Sequence, residues 1–215
     1  MAGAWEAPRT NLIIGILSTG LVSVDWATNL VAFQKPAGST LRVWRGLPYD
    51  VARNRLVRDA REAGCRELFF LDSDVIIPPD AIPKLQSAQL PIVSGLYWSK
   101  KGCPGIWKAA PGGQAYQPIM QWPGGGLIEV DAVGAGCLLI DVRVFDVLDK
   151  MGLPWFEWQI KDPADQAGKF SEDFAFGRYA AQAGFKIYCH TGVMCYHEHL
   201  TAIDYQGKAR GENVL

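Results

Sequence analysis

The chain has 215 residues, 49% of them hydrophobic, enough to bury one substantial core and too few for two full-sized domains. Its 21 Lys and Arg against 22 Asp and Glu give a net charge of -1, which excludes a global basic field for nucleic acid or an anionic membrane. The apolar stretch NLIIGILSTGLVSV is shorter than a membrane span and follows no basic leader, and the five cysteines are odd in number, so the expectation is a cytoplasmic protein with reduced thiols, without signal peptide or transmembrane segment.

In chain order, NLIIGIL reads as a strand buried on both faces that ends near Leu17 at a Ser-Thr-Gly loop. YDVARNRLVRDAREAG places Ala52, Leu56, Ala60 and Ala63 on one helical face with Gly64 as terminator, and ELFFLD follows as a second buried strand. This βα repeat predicts a parallel sheet. PPDAIPKLQSA reads as a short helix and LPIVSGLYW as a third strand. Residues 99 to 126 are rich in Gly and Pro and predict long loops or short hairpins, which in a compact domain are often functional.

LIEVDAVGAGCLLID reads as strand, glycine turn, strand. A helix follows in VRVFDVLDKMG, with Asp141 as N-cap and Gly152 as terminator. After an irregular segment, PWFEWQIKDPADQAGKF, come a helix in SEDFAFGRYAAQAGF with Phe176, Tyr179, Ala180 and Ala183 on one face, and a strand in KIYCHTGVMCYH. The tail after Leu200 is polar.

Within LFFLDSDVII, Asp72 and Asp74 stand at the C-terminal end of a predicted parallel strand, the edge where open α/β sheets bind ligands. Residues two apart on a strand share a face, so two carboxylates about 5 Å apart would repel by roughly 3 kcal/mol at an effective dielectric near 20. A divalent cation offsets that cost, and hard cations held by carboxylates commonly meet substrate phosphates. The plainer reading is a pair of turn residues. In GKFSEDFAFGRYA, Ser171 is a predicted N-cap, and Glu172 and Asp173 fall in the first turn, where the helix dipole favours negative charge; a carboxylate there that faces a cleft also serves as a general base.

CHTGVMCYHEH offers Cys189, His190, Cys195, His197 and His199, but the alternation of a strand and the spacing match no standard zinc finger or ribbon. One histidine completing a cation site with Asp74 is the better expectation, and His197 is the first choice because the apolar strand runs out there. Trp155, Phe156 and Trp158 read either as sugar-stacking or lid residues or as loop anchors, and Lys100 and Lys101 either as phosphate contacts or as a solvated pair.

Taken together, these segments resemble the GT-A fold glycosyltransferases, especially the broad family-2-like group. LFFLDSDVIIPPDAIPKL is similar to its metal-binding Asp-x-Asp segment, AVGAGCLLIDVRVFD to its acceptor-side glycine turn, and SEDFAFGRYAAQAGFKIYCHTGVMCYH to its Glu-Asp motif followed by a strand ending in a metal-ligating His. ARNRLV at 52 to 57 also matches a segment common ahead of that Asp-x-Asp strand, and the resemblance covers roughly residues 11 to 199.

The resemblance implies an α/β, Rossmann-like GT-A fold: a mostly parallel central sheet flanked by helices, with a small antiparallel portion. It implies a single domain over 1–215, with a nucleotide-sugar-binding half near 10–98, an acceptor and catalytic half near 99–200, and a tail at 201–215. The implied activity is metal-dependent transfer of a sugar from a UDP- or GDP-sugar to the hydroxyl of a glycan, protein or small-molecule acceptor, with Mn2+ or Mg2+. Asp72 would contact ribose or metal, and Asp74 and His197 the metal. Asp173 would be the base, Glu172 would orient the acceptor, and Thr19 and Arg53 would lie by the nucleotide. The chain departs from the family in being short and in placing His190 where an aspartate is common. Inversion or retention at the anomeric carbon stays open.

Three rivals remain. A haloacid-dehalogenase-like phosphatase would use Asp72 as nucleophile and Asp74 as acid/base, but the later Gly-Asp-x-x-x-Asp pattern is missing. A sugar nucleotidylyltransferase would need a glycine-rich loop after the first strand, which STGLVSV does not supply. A non-catalytic sugar-nucleotide or metal-binding module is the rival without chemistry.

Overall fold

The computed structural model describes residues 11–99, 102–112, 115–159 and 170–198, together with the backbone of short strands at Ala202–Ile203 and Ala209–Arg210. Lys100, Lys101, His199 and most of the tail lie outside the described residues.

The first half of the chain runs β1 (Leu12–Ser18), α1 (Val24–Ala32), β2 (Ser39–Arg45), α2 (Tyr49–Glu62), β3 (Glu67–Asp72), β4 (Val75–Ile76), α3 (Ala81–Ser87) and β5 (Ile92–Leu96). The second half runs β6 (Ile106–Ala109), β7 (Tyr116–Pro118), β8 (Leu127–Val130), β9 (Ala132–Val133), β10 (Cys137–Asp141), α4 (Arg143–Lys150), α5 (Glu172–Gln182), β11 (Ile187–Met194) and β12 (Tyr196–His197). Seven strands form the central sheet in the order β2-β1-β3-β10-β5-β11-β8. β2, β1, β3, β5 and β11 run one way, and β10 and β8 oppose them, so the sheet is mostly parallel.

Strand alternation sends successive apolar residues to opposite faces, and each face has its own core. Ile13, Phe70 and Leu138 pack with Leu56 of α2, Phe145 of α4 and Phe176 of α5. Ile14, Phe69 and Leu71 pack on the other side with Trp26 of α1 and Leu85 of α3. All five cysteines are free thiols. No helix among the described residues is long and apolar enough to cross a membrane.

The structure differs from the sequence expectations in four places, the first being the N-cap of α4, which is Val142, while Asp141 ends β10 and accepts from Arg143 N–H. Helix α1 and strand β2 occupy a stretch where the pattern sets no element. Of α1 only Trp26 is buried, and β2 is an edge strand that leaves Leu41 and Val43 exposed, so neither has a full apolar face to announce it. Ala63, placed on the buried face of α2, is the exposed C-cap. The strand expected before the glycine turn at 134–136 is divided in two: β8 pairs with β11 at the sheet edge and β9 with β6, while β10, after the turn, lies between β3 and β5.

Candidate active site

The C-terminal ends of β1, β3, β5 and β11 share one edge of the sheet, because these strands are parallel. Asp72 is the last residue of β3, and its backbone is fastened from three sides. Asp72 N–H donates to Gly136 O (3.1 Å), Ser73 N–H to Leu17 O (3.1 Å), and Trp26 Nε1–H to Asp72 O (3.0 Å). The strand stops at Asp72, so Asp74 lies in the turn between β3 and β4 and not one pleat further along the same strand.

That turn brings Asp74 to His197. The antiparallel pairing of β4 with β12 sets His197 opposite Val75, and Glu198 N–H donates to Asp74 O (2.7 Å). His197 Nε2 comes within 3.3 Å of Asp74 Oδ2, while its Nδ1 lies 2.9 Å from Trp98 O. A carbonyl can only accept, so Nδ1 carries a proton, which leaves Nε2 as the ring nitrogen that would meet a cation beside Asp74.

Asp72 faces Arg53 instead. Arg53 Nη2 lies 3.1 and 3.3 Å from the two Asp72 oxygens, Arg53 Nε 3.2 Å from Glu172 Oε1, and Nη1 donates to Ala135 O at 3.2 Å. Every guanidinium nitrogen is thus engaged within the protein, and the side chain is 2% exposed. Arg53, expected by the nucleotide, makes these contacts from the wall of the cleft that it shares with Asp72 and Glu172. The expected three-ligand set of Asp72, Asp74 and His197 is a close pair, Asp74 and His197, with Asp72 turned to Arg53; among the described residues no three His, Cys, Asp or Glu side chains are grouped to hold a metal ion.

Helix α5 delivers the acid pair. Ser171 has the extended backbone of an N-cap (φ -62, ψ 164), but its hydroxyl donates to Asp173 Oδ1, as does Phe174 N–H at 2.9 Å. Asp173 thereby takes over the capping function within its own helical turn. Burial raises the Glu172 carboxyl to about 7, with Arg53 opposing the shift and Asp173 adding to it. Burial also raises Asp173, against its bond from Ser171 and the charge of Arg53, and raises Asp72 against Arg53. Burial works against the Arg53 charge, but Asp72 and Glu172 outweigh it and hold the guanidinium above its ordinary value.

Asp72, Glu172, Asp173 and Arg53 line one cleft of about 210 Å³ with Tyr49, Tyr97, Trp158 and Ser171. A larger hollow of about 520 Å³, lined by Arg66, Glu67, Gln86, Asp141 and Arg143 among others, opens at the opposite sheet edge, where β3 begins. Thr19 stands exposed in the turn after β1, outside the residues that line the cleft.

The aromatic segment divides. Trp155 lies against Phe145 and Arg61 with its indole N–H on Asp149 (2.7 Å), and Phe156 is buried against Phe176 with its backbone held at both ends by the Asn54 side chain. Trp158 alone of the three reaches the cleft. Tyr97 is the residue that sequence reasoning missed. It follows β5 directly and is 7% exposed, its hydroxyl accepts from Gly136 N–H (3.0 Å), and its ring packs edge-on against His197 with centroids 5.4 Å apart. Its signal was its place: the end of a buried parallel strand, the same address as Asp72.

No family model and no curated protein sequence matches the chain. Among solved structures it is similar to A197 from STIV, with 19% identity over 95% of each chain and a TM-score of 0.59. It is also similar to GalNAc-T7, whose crystal structure holds UDP, GalNAc and Mn2+, with 12% identity and a TM-score of 0.57; the likeness covers 90% of this chain and 45% of that one. The chain therefore spans under half the length of that glycosyltransferase. At such identities the likeness is one of fold: a mixed α/β sheet flanked by helices, as in GT-A glycosyltransferases.

Proposed function

We propose that the chain is a divalent-cation-dependent glycosyltransferase, a single GT-A domain that moves a sugar from a UDP- or GDP-sugar to the hydroxyl of a glycan, protein or small-molecule acceptor in the cytoplasm. The observation that carries this reading is the meeting of Asp72, from the end of β3, with Glu172 and Asp173, from the start of α5, around Arg53 in one cleft. Ligand clefts of open α/β sheets lie at this strand edge.

In this reading Asp173 is the base. Among the described residues Ser171 Oγ and Phe174 N–H donate to its Oδ1, and Oδ2 is the oxygen that takes the proton of the acceptor hydroxyl. As that oxygen bonds to the anomeric carbon, the bond from this carbon to the β-phosphate oxygen breaks, and its electron pair leaves with the nucleoside diphosphate. Glu172 orients the acceptor from a position fixed by Arg53, Asp72 accepts from a hydroxyl of the donor, on its ribose or its transferred sugar, and Thr19 lies toward the nucleotide. Arg53 acts as the brace that holds Asp72 and Glu172 at a fixed spacing.

Asp74 Oδ2 and His197 Nε2, a carboxylate oxygen and an imidazole nitrogen, are the donors that would hold Mn2+ or Mg2+. Bound there, the cation supplies positive charge against the negative charge that builds on the leaving diphosphate. The fold likeness to a protein crystallised with UDP and Mn2+ supports this reading.

A screen of UDP- and GDP-sugars with Mn2+, following release of nucleoside diphosphate, tests it. Release should disappear in Asp173→Asn while nucleotide binding persists. No release from any donor, together with no effect of Asp74→Ala, sinks the proposal. Free phosphate from a phosphomonoester would favour the phosphatase, whose nucleophile would be Asp72, here ion-paired with Arg53.

A further inference from the structure

We infer that Tyr97 is a substrate-contacting residue whose phenol donates a hydrogen bond to the transferred sugar of the donor, next to Asp72; this rests on the glycosyltransferase reading of the cleft. The inference comes from the cleft's stock of donors and acceptors. Its walls are rich in acceptors: the Asp72, Glu172 and Asp173 carboxylates and the Ala135 carbonyl. Of its donors, Arg53 and Ser171 are engaged within the protein, and Tyr49 is 49% exposed, so that water can serve its hydroxyl. Arg53 is taken by Asp72, Glu172 and Ala135, and the Ser171 hydroxyl donates to Asp173.

Tyr97 stands apart from these. Among the described residues its oxygen makes one hydrogen bond, accepted from Gly136 N–H, and a phenol that accepts there still has its own proton to give. A donor so well buried, on the wall of a cleft, needs a partner. Its position is fixed from both sides. A Cβ on Gly134 would overlap the Tyr97 hydroxyl, and a Cβ on Gly136 would come within 3.0 Å of that hydroxyl and 3.1 Å of Asp72 Oδ2. The hydroxyl and the carboxylate therefore lie near one another on the wall of the same cleft, one offering a proton and the other accepting one.

A sugar hydroxyl matches that pairing, because it accepts from Tyr97 and donates to Asp72. A phosphate does not, since it has no proton to offer Asp72 and would face three carboxylates against one guanidinium. The sugar of the donor is therefore assigned to Tyr97, and its diphosphate to the Asp74 and His197 side.

The test compares binding of UDP and GDP alone with that of their hexose conjugates, each with Mn2+, to the native protein and to Tyr97→Phe. Losing one hydrogen bond to the sugar should weaken the conjugate about tenfold and leave the bare nucleotide unchanged. A purely structural role of Tyr97, through the Gly136 turn, would weaken both equally, and that result overturns the inference. A second measurement does not depend on the variant folding well: monodeoxy donor sugars on the native protein should reveal one hydroxyl whose removal costs about the same factor. In Tyr97→Phe that removal should cost nothing further, and additive losses would overturn the assignment. If neither nucleotide nor conjugate binds the native protein, the glycosyltransferase reading falls and this inference falls with it.

Discussion

Arg53 and Glu172 are 119 residues apart in the chain, yet their side chains meet at 3.2 Å with both almost fully buried. The same guanidinium holds Asp72. Removing one member of a buried ion-pair set leaves uncompensated charge, so Arg53→Leu should lower unfolding free energy by on the order of 3 kcal/mol or more. Arg53→Lys should recover little, because an ammonium lacks the fork that reaches Asp72, Glu172 and Ala135 O together. Urea unfolding of the two variants checks this, and a lysine variant as stable as the native protein would contradict it.

Glu172 makes stability depend on pH in an unusual direction for a carboxylate. Burial lifts it to about 7 in the folded protein from an ordinary 4.5. The folded state therefore holds a proton that the unfolded chain has lost, and the contribution is complete below pH 4.5 and declines as pH rises toward 7. The decline is on the order of 2 to 3 kcal/mol. Glu172→Gln should flatten the curve between those limits. Parallel native and variant curves in urea titrations at stepped pH would refute the assignment.

Asp74 and His197 should govern the response to metal. Alanine at either position should raise the Mn2+ concentration needed for half-maximal nucleotide binding by at least about tenfold, while metal-free stability changes little at Asp74, whose side chain is 38% exposed, and more at His197, which is 14% exposed and packs on Tyr97. Asp72→Asn should disturb stability more and metal response less, since its partner is Arg53. Tryptophan fluorescence during Mn2+ titration reads the first effect and thermal melting the second; equal metal shifts for all three variants would count against the pairing.

Gly134 is a steric requirement and not a conformational one, because its φ is not positive. Gly134→Ala would force the Tyr97 ring from its seat and should cost roughly 1 to 3 kcal/mol. Combining it with Tyr97→Phe, which removes the atom that a new Cβ strikes, should restore part of that loss. Melting temperatures of the two singles and the double decide, and strictly additive losses would show that the overlap lies elsewhere.

Much of this was legible in the chain. ELFFLD and NLIIGIL announced buried parallel strands because a strand covered on both faces must be apolar throughout, and Gly64 and Gly152 marked helix ends with the positive φ that glycine tolerates. Helix α1 and strand β2 were silent because each buries too little to impose a pattern. The pairing of Asp74 with His197 was anticipated through the resemblance, and β4 against β12 is the physical device that brings them together.

By itself the sequence determined which residues carry charge inside an apolar chain, and hence that Asp72, Asp74, Glu172 and Asp173 needed an explanation. Only the tertiary structure decided how they divide. Asp72 goes to a buried arginine and Asp74 to a histidine because β3 ends between them, and a strand's two-residue alternation holds only while the strand continues. The role of Tyr97 was likewise set by tertiary packing, because what gives its hydroxyl meaning is a glycine turn that reaches it from a different part of the chain.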